Sequence, residues 1–205
     1  MCIYIDTAYF MSHFIYYMRK IPTKLKKRPF TYQQAVAEGL NLRSFRKLVA
    51  DGAFEQVARG VYLPSKPDYS EEDQYRVATL IVGTPSSICL ISALSHYDLT
   101  DIIPKKTWIM VPNTKRSQST ELKLQRLRNP DWQIGIAKCD GYSITTIERT
   151  VVDAICAKAK IGTQVAVEAL RKSTQSKQTT LSKIMNTAKQ LGVLHRILPY
   201  IEALS

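Results

Sequence analysis

The chain has 205 residues, 45% of them apolar and 22% charged, a composition that suits a folded protein with length for one large core or two small ones. Its 29 Lys and Arg outnumber 17 Asp and Glu, a formal charge of +12, so an acidic partner is expected: nucleic acid first, an anionic membrane or an acidic protein after it. Cys2, Cys89, Cys139 and Cys156 show no CxxC pairing and only three histidines accompany them, which argues against a zinc site and for idle thiols in a reducing compartment.

The basic excess is uneven. Residues 1–66 hold 11 Lys and Arg against 4 Asp and Glu, and residues 67–205 hold 18 against 13. In the first twenty residues, Phe10, Phe14 and Tyr17, with Ile3 and Thr7, share one face at helical spacing and predict a first helix ending at Ile21-Pro22. Asp6 and His13 interrupt this apolar run and its positive charges follow it, which is not the form of a signal peptide; a cytoplasmic protein is expected. Lys24, Lys26, Lys27 and Arg28 then make a basic connection suited to gripping phosphate.

Phe30 to Leu63 is the most informative stretch. Thr31 and Gln34 form a capping box that opens a short helix with Ala35, Val36 and Ala37 on it, stopped at Gly39. Asn41 is an N-cap for a second helix whose apolar positions are Leu42, Phe45, Leu48 and Val49, leaving Arg43, Ser44, Arg46 and Lys47 outward. Asp51-Gly52 ends it. Phe54–Val57 and Val61–Leu63 predict a two-stranded hairpin across Ala58-Arg59-Gly60, closed by Pro64. Two helices and a hairpin in this order are the plan of a winged helix-turn-helix, which places the second helix in the DNA major groove. The expected DNA contacts are Asn41, Arg43, Ser44, Arg46 and Lys47 on that helix, Arg59 at the wing tip, and Lys26, Lys27 and Arg28 on the preceding arm.

Residues 65–70, SKPDYS, have linker composition and divide the chain into domains at 1–66 and 67–205. Beyond them, Ser70 and Glu71-Glu72-Asp73 open a helix running to Gly83, and Ser87 to Leu90 predict a buried strand. A helix capped by Ser92 and running through His96, and a strand from Thr107 to Val111, follow. Trp132–Lys138 and Tyr142–Ile144 flank Cys139-Asp140-Gly141 as a hairpin, and Thr145 with Glu148 reads as a second capping box before a helix bearing Ile147, Val151 and Ile155. Residues 163–204 read as three helices, broken near Ser173-Thr174-Gln175 and at Gly192. The fold class is therefore α+β, a winged helix-turn-helix followed by an α+β domain with a helical C-terminal section.

In GLNLRSFRKLVADGAFEQVARGVYLP, SALSHYDLTDIIPKKTWIMVP and ITTIERTVVDAI, in that order, the chain resembles the AbiEi-type antitoxins, the regulator half of abortive-infection toxin–antitoxin pairs of the type IV class. The resemblance implies a repressor of its own operon that binds inverted repeats in the promoter, as a monomer or weak dimer with two molecules per operator. It also implies that the C-terminal domain, antitoxin-like, counters a nucleotidyltransferase-like toxin without a stable complex. No cofactor or metal is implied, and none of this involves a membrane.

An enzymatic reading stands beside it. His96, Asp98, Asp101, Lys105 and Lys106 have the residue types of a metal-dependent nuclease, which makes a nucleic-acid-processing enzyme or defence effector the alternative. Turn carboxylates capping backbone N–H groups explain Asp98 and Asp101 more simply. Ser92 with His96 mimics a nucleophile and base, but packing and capping explain the pair. Arg149 and Asp153, four apart, read as a surface ion pair. Lys158, Lys160, Arg171, Lys172, Lys177, Lys183 and Lys189 offer a further positive face on the C-terminal helices, although scattered lysines on solvated helices explain them more simply.

Overall fold

The caps and apolar spacings of the sequence become elements in a computed structural model, which describes residues 21–65, 69–127 and 133–203. The predicted N-terminal helix, Cys2, and Trp132 at the start of the predicted hairpin lie outside the described residues. The described residues form nine α-helices and two sheets, a mixed α+β fold. No helix among them is long and apolar enough to cross a membrane. Two compact units result, residues 1–81 and 82–205. This division falls later than the 66/67 boundary suggested by linker composition. Residues 71–82 are one unbroken helix, and the division comes at its last turn rather than ahead of it.

In the first unit, a 3-10 turn at Thr23–Lys26 leads to β1 (Phe30–Thr31), α1 (Tyr32–Ala37), α2 (Leu42–Ala50), β2 (Phe54–Ala58), β3 (Val61–Pro64) and α3 (Glu71–Val82). The sheet order is β1-β3-β2, antiparallel throughout, with Phe30 opposite Tyr62 and Phe54 opposite Pro64. Strand β1 is absent from the sequence expectations because two residues carry no periodicity. Pro64 does not close the unit from outside; it is the last residue of β3. Ile21, Leu25, Phe30, Ala35, Phe45, Leu48, Ala53 and Phe54 form the core. At the start of α3, Ser70 and Asp73 cap each other's backbone N–H groups, as the serine-plus-acid signal implies.

In the second unit, β4 (Ser87–Ile88), α4 (Leu90–His96), β5 (Thr107–Pro112), β6 (Leu122–Leu127), β7 (Ile136–Lys138) and β8 (Ser143–Thr145) precede five helices. These are α5 (Ile147–Cys156), α6 (Lys158–Ile161), α7 (Thr163–Gln175), α8 (Leu181–Gln190) and α9 (Leu194–Glu202). The sheet order is β6-β5-β4-β8-β7, with β5–β6 and β4–β8 parallel and the other pairs antiparallel. The β7–β8 hairpin forms where Asp140-Gly141 predicts it, with Lys138 opposite Ser143. Leu94, Leu99, Met110, Val151, Ile155, Leu170, Ile184 and Ile197 belong to an aliphatic core shared by the sheet and helices α4, α5, α7, α8 and α9.

Several local expectations are corrected here, some by neighbouring residues and some by tertiary contacts. The strand predicted from Ser87 to Leu90 stops at Ile88, because Cys89 is the N-cap residue of α4 and Leu90 already begins it. Ser92 is not a cap: it is fully buried inside α4 and its Oγ accepts from the Trp108 backbone N–H at 2.9 Å. The cap of α5 is Thr146, whose hydroxyl accepts from the Arg149 N–H at 3.4 Å. Thr145 belongs to β8, and its buried hydroxyl meets that of Thr150 at 2.6 Å. Strand β6 is absent from the sequence expectations. It pairs in parallel with β5 over six residues, and a parallel pair has no turn signal to announce it.

Arg149 and Asp153 are not a surface pair. Arg149 is 2% exposed; its Nε donates to Asp153 Oδ2 at 2.8 Å and its Nη1 to the Ile134 carbonyl at 2.6 Å. Burial pushes the Asp153 carboxyl up, and the adjoining guanidinium opposes that rise. The chain makes room at Gly135, where a Cβ would stand 2.7 Å from Arg149 Cβ.

Candidate nucleic-acid interface

Two short helices and their caps set the geometry of the first unit's basic face. The Thr31 hydroxyl accepts from Gln34 N–H at 3.3 Å while Gln34 Oε1 accepts from Thr31 N–H at 2.8 Å, so the capping box is complete. At the other end of α1, Gly39 N–H donates to Val36 O and Leu40 N–H to Ala35 O, at 2.9 and 3.0 Å. This is a Schellman close, and Gly39 supplies its left-handed residue at φ 92°. Asn41 Oδ1 then accepts from Ser44 N–H at 2.9 Å and starts α2.

The rotation of α2 about its axis is fixed by Phe45. Its ring lies 4.9 Å from Tyr32 of α1 and 4.8 Å from Tyr62 of β3, both edge-on, and 5.9 Å from Phe54 of β2. Leu48 is buried beside it. At about 100° per residue, Arg43 then lies about 170° from the inward direction bisecting Phe45 and Leu48, and Arg46 and Lys47 about 130° from it. All three are exposed, as are Asn41 and Ser44. Leu42 lies about 90° from that direction. It is 46% exposed rather than part of the core, so the expectation that placed it inward is corrected.

Arg59 is exposed at the turn joining β2 and β3, where the register shifts between Gln56 and Ala58 and Gln56 Nε2 braces the Ala58 carbonyl at 3.2 Å. Lys27 and Arg28 are exposed and Lys26 is half-buried ahead of β1. Lys24 holds Glu38 at 2.8 Å, which ties this arm to the end of α1. The expected contact residues therefore all lie in one small unit, and within α2 Arg43, Arg46 and Lys47 share its outward side. Sequence reasoning missed the exposed apolar groups among them, Val36 and Leu42, each 46% exposed. Apolar residues carry no sequence signal for facing outward.

Two of the residues that suggested an enzyme have structural roles here. Asp98 has φ 56° because it closes α4, with Asp98 N–H on Ser95 O and Leu99 N–H on Leu94 O at 3.0 and 2.8 Å. Asp101 pairs with Lys172 at 3.0 Å. Among the described residues no group of three or more His, Cys, Asp and Glu side chains is placed to hold a metal ion. On the C-terminal helices some of the lysines that would make a positive face are engaged within the chain. Lys172 also meets Glu168 at 3.1 Å, and Lys158 donates to the Tyr200 hydroxyl and sits 4.7 Å above that ring.

Residues 23–65 match the model of a family described as transcriptional regulator, AbiEi antitoxin. The match runs from the 3-10 turn through β3 to Ser65, so it takes in the whole basic face just described. No curated protein matches the chain.

Proposed function

We propose that residues 23–65 are a winged helix-turn-helix that reads promoter DNA, and that the protein is the autorepressor and antitoxin of a type IV toxin–antitoxin pair serving phage defence in the cytoplasm. Strand order β1-β3-β2 around α1 and α2 supports the winged-helix reading, with the β2–β3 turn as the wing. The observation that carries it is the orientation of α2. Phe45 faces the core, which points Arg43, Arg46 and Lys47 at whatever approaches from solvent. A helix of this size fits the major groove. Guanidinium and ammonium groups near its N-terminal half reach guanine edges and phosphates there, and Arg59 at the wing tip lies along the flanking backbone or minor groove.

Repression is by occupancy: one molecule covers each half of an inverted repeat, and two cover the promoter. In this reading the second unit opposes a nucleotidyltransferase-like toxin without forming a lasting complex. The test is a gel-shift titration against the DNA upstream of the protein's own gene and a scrambled duplex, at two salt concentrations. Tight, stepwise binding to the promoter duplex is expected, with a log–log salt slope of roughly −5 to −6 per half-site if about five to seven phosphates are neutralised. Arg43→Ala with Lys47→Ala should weaken promoter binding by on the order of 100-fold, since each side chain on a base or phosphate is worth roughly 1–3 kcal/mol. Asp98→Ala with Asp101→Ala should leave it unchanged. Equal binding to both duplexes with a slope near −1 would overturn the reading.

A further inference from the structure

The second unit holds a cleft of about 260 Å³ that plays no part in the DNA reading. It is open to solvent, and its lining comes from α4, β6, α5, α6, the α8–α9 connection and α9. Its apolar wall is Leu90, Leu127, Leu191 and Val193. Its charged groups are Arg149, Asp153, Lys160 and Arg196, with Gln125 and Cys156 beside them.

The charges divide into two pairs of different character. Arg149 and Asp153 neutralise one another at 2.8 Å, with the guanidinium buried. Lys160 and Arg196 are exposed cations. Lys160 donates to Gln125 Oε1 at 2.9 Å, and Arg196 donates through Nη2 to the Cys156 carbonyl at 2.8 Å. An ammonium has three donors and a guanidinium five, so both keep donors after these contacts. The cleft thus carries two net positive charges over an apolar wall. Leu90 adds a second mark: it is 1% exposed and held at φ 47°, a left-handed conformation that a leucine adopts at a cost, and such residues cluster at ligand sites.

We propose that this cleft binds a small organic phosphate, its dianion held by Lys160 and Arg196 and its carbon skeleton lying against Leu90, Leu127, Leu191 and Val193. Two matched charges favour a phosphate monoester over a monocarboxylate. The volume sits just below the roughly 300–1,000 Å³ usual for drug-sized ligands, so the occupant is small. Arginine and lysine on separate elements give the anion a forked contact on one side and a point charge on the other.

The test is a ¹H–¹⁵N NMR titration of the full chain with three probes: phenyl phosphate, inorganic phosphate and phenol. Phenyl phosphate should saturate, move the amides of Leu90, Gln125, Cys156 and Leu191, and bind at least tenfold tighter than either probe that lacks one half of it. Lys160→Ala with Arg196→Ala should weaken phenyl phosphate at least tenfold. Leu191→Trp, which fills the cleft and leaves both cations in place, should abolish the shifts while the rest of the spectrum stays native. Equal affinity for phosphate and phenyl phosphate means surface anion binding, and equal affinity for phenol means a plain apolar crevice. Either result overturns the proposal, as do shifts that map outside the cleft, affinity unchanged in both variants, or no saturable binding. The outcome is independent of promoter binding.

Discussion

In the first unit, Arg43, Arg46 and Arg59 stand in solvent around an aromatic core, whereas in the second Arg149 is 2% exposed inside an aliphatic one, tied to Asp153, the Ile134 carbonyl and the Met110 sulfur. The same side chain is an available charge in one place and a cross-brace in the other. What separates them is the partner. An arginine whose donors end on protein acceptors brings sheet and helix together but offers little to a ligand, and one left in water keeps its charge for an incoming anion. The net charge of +12 therefore overstates the surface that nucleic acid can meet. Lys158 and Lys172, engaged by Tyr200, Asp101 and Glu168, are further examples.

Breaking the brace should produce the largest effect. Arg149→Met leaves the half-buried Asp153 carboxylate without its cation and removes the bond to the Ile134 carbonyl, and should destabilise the second unit by about 2–3 kcal/mol, while Arg149→Met with Asp153→Leu should recover much of that deficit. Trp108 is buried in the second unit and the other tryptophan, Trp132, also falls within residues 82–205, so fluorescence during urea unfolding reports on this unit. Equal stability in the single and double variants would show that the pair is not the brace described.

A smaller test strikes the same brace from the backbone. Gly135 sits at φ 69° with Arg149 Cβ 2.7 Å from where a methyl would go. Gly135→Ala should cost about 1–3 kcal/mol by the same fluorescence measurement. In the first unit, Asn41→Ala should cost about 1 kcal/mol by freeing the Ser44 amide, seen as faster hydrogen exchange there and at the following residues of α2. If that change leaves exchange untouched, α2 is held by its aromatic core alone.

The smallest effect is on pH. Burial raises the Glu148 carboxyl, but hydrogen bonds from Thr179, its own backbone amide and Thr146, with Lys183 nearby, outweigh burial and hold it below its usual 4.5. A carboxyl lowered in the folded state contributes stability that is fully present above its unfolded value and is lost as pH falls through the folded value. Tryptophan-detected stability should therefore decline below about pH 4.5, and less steeply in Glu148→Gln. The hydrogen bond at stake is Thr179 Oγ1 to Glu148 Oε1, 2.6 Å. An unchanged acid limb in Glu148→Gln would assign that decline to other carboxylates.

The candidate interface is legible in sequence to an unusual degree because its framing signals are local. Thr31 with Gln34, Asn41 with Ser44, and the left-handed Gly39 each act within a few residues, so the start and stop of α1 and α2 follow from neighbours along the chain. The β7–β8 hairpin at Asp140-Gly141 follows for the same reason, as do the three C-terminal helices, although the first of them runs on through Ser173-Thr174-Gln175, where a break is expected, and ends at Gln175. Leu42 is the exception, because a helical wheel drawn from sequence does not say which apolar residue sets the inward direction; the ring contacts of Phe45 do.

Tertiary structure alone decided the rest. The parallel pairing of β6 with β5, the hydrogen bond from the Trp108 amide to the buried Ser92 hydroxyl, and the convergence of six segments on the cleft all join residues distant in sequence, with no turn or cap between them to announce the pairing. Arg149 and Asp153 show the limit most directly. Their spacing of four determined that they would pair, and only the sheet and helices closing over Arg149 determined that its guanidinium would be buried, which turns an interaction worth tenths of a kcal/mol into one whose loss on the Asp153 side strands a buried charge.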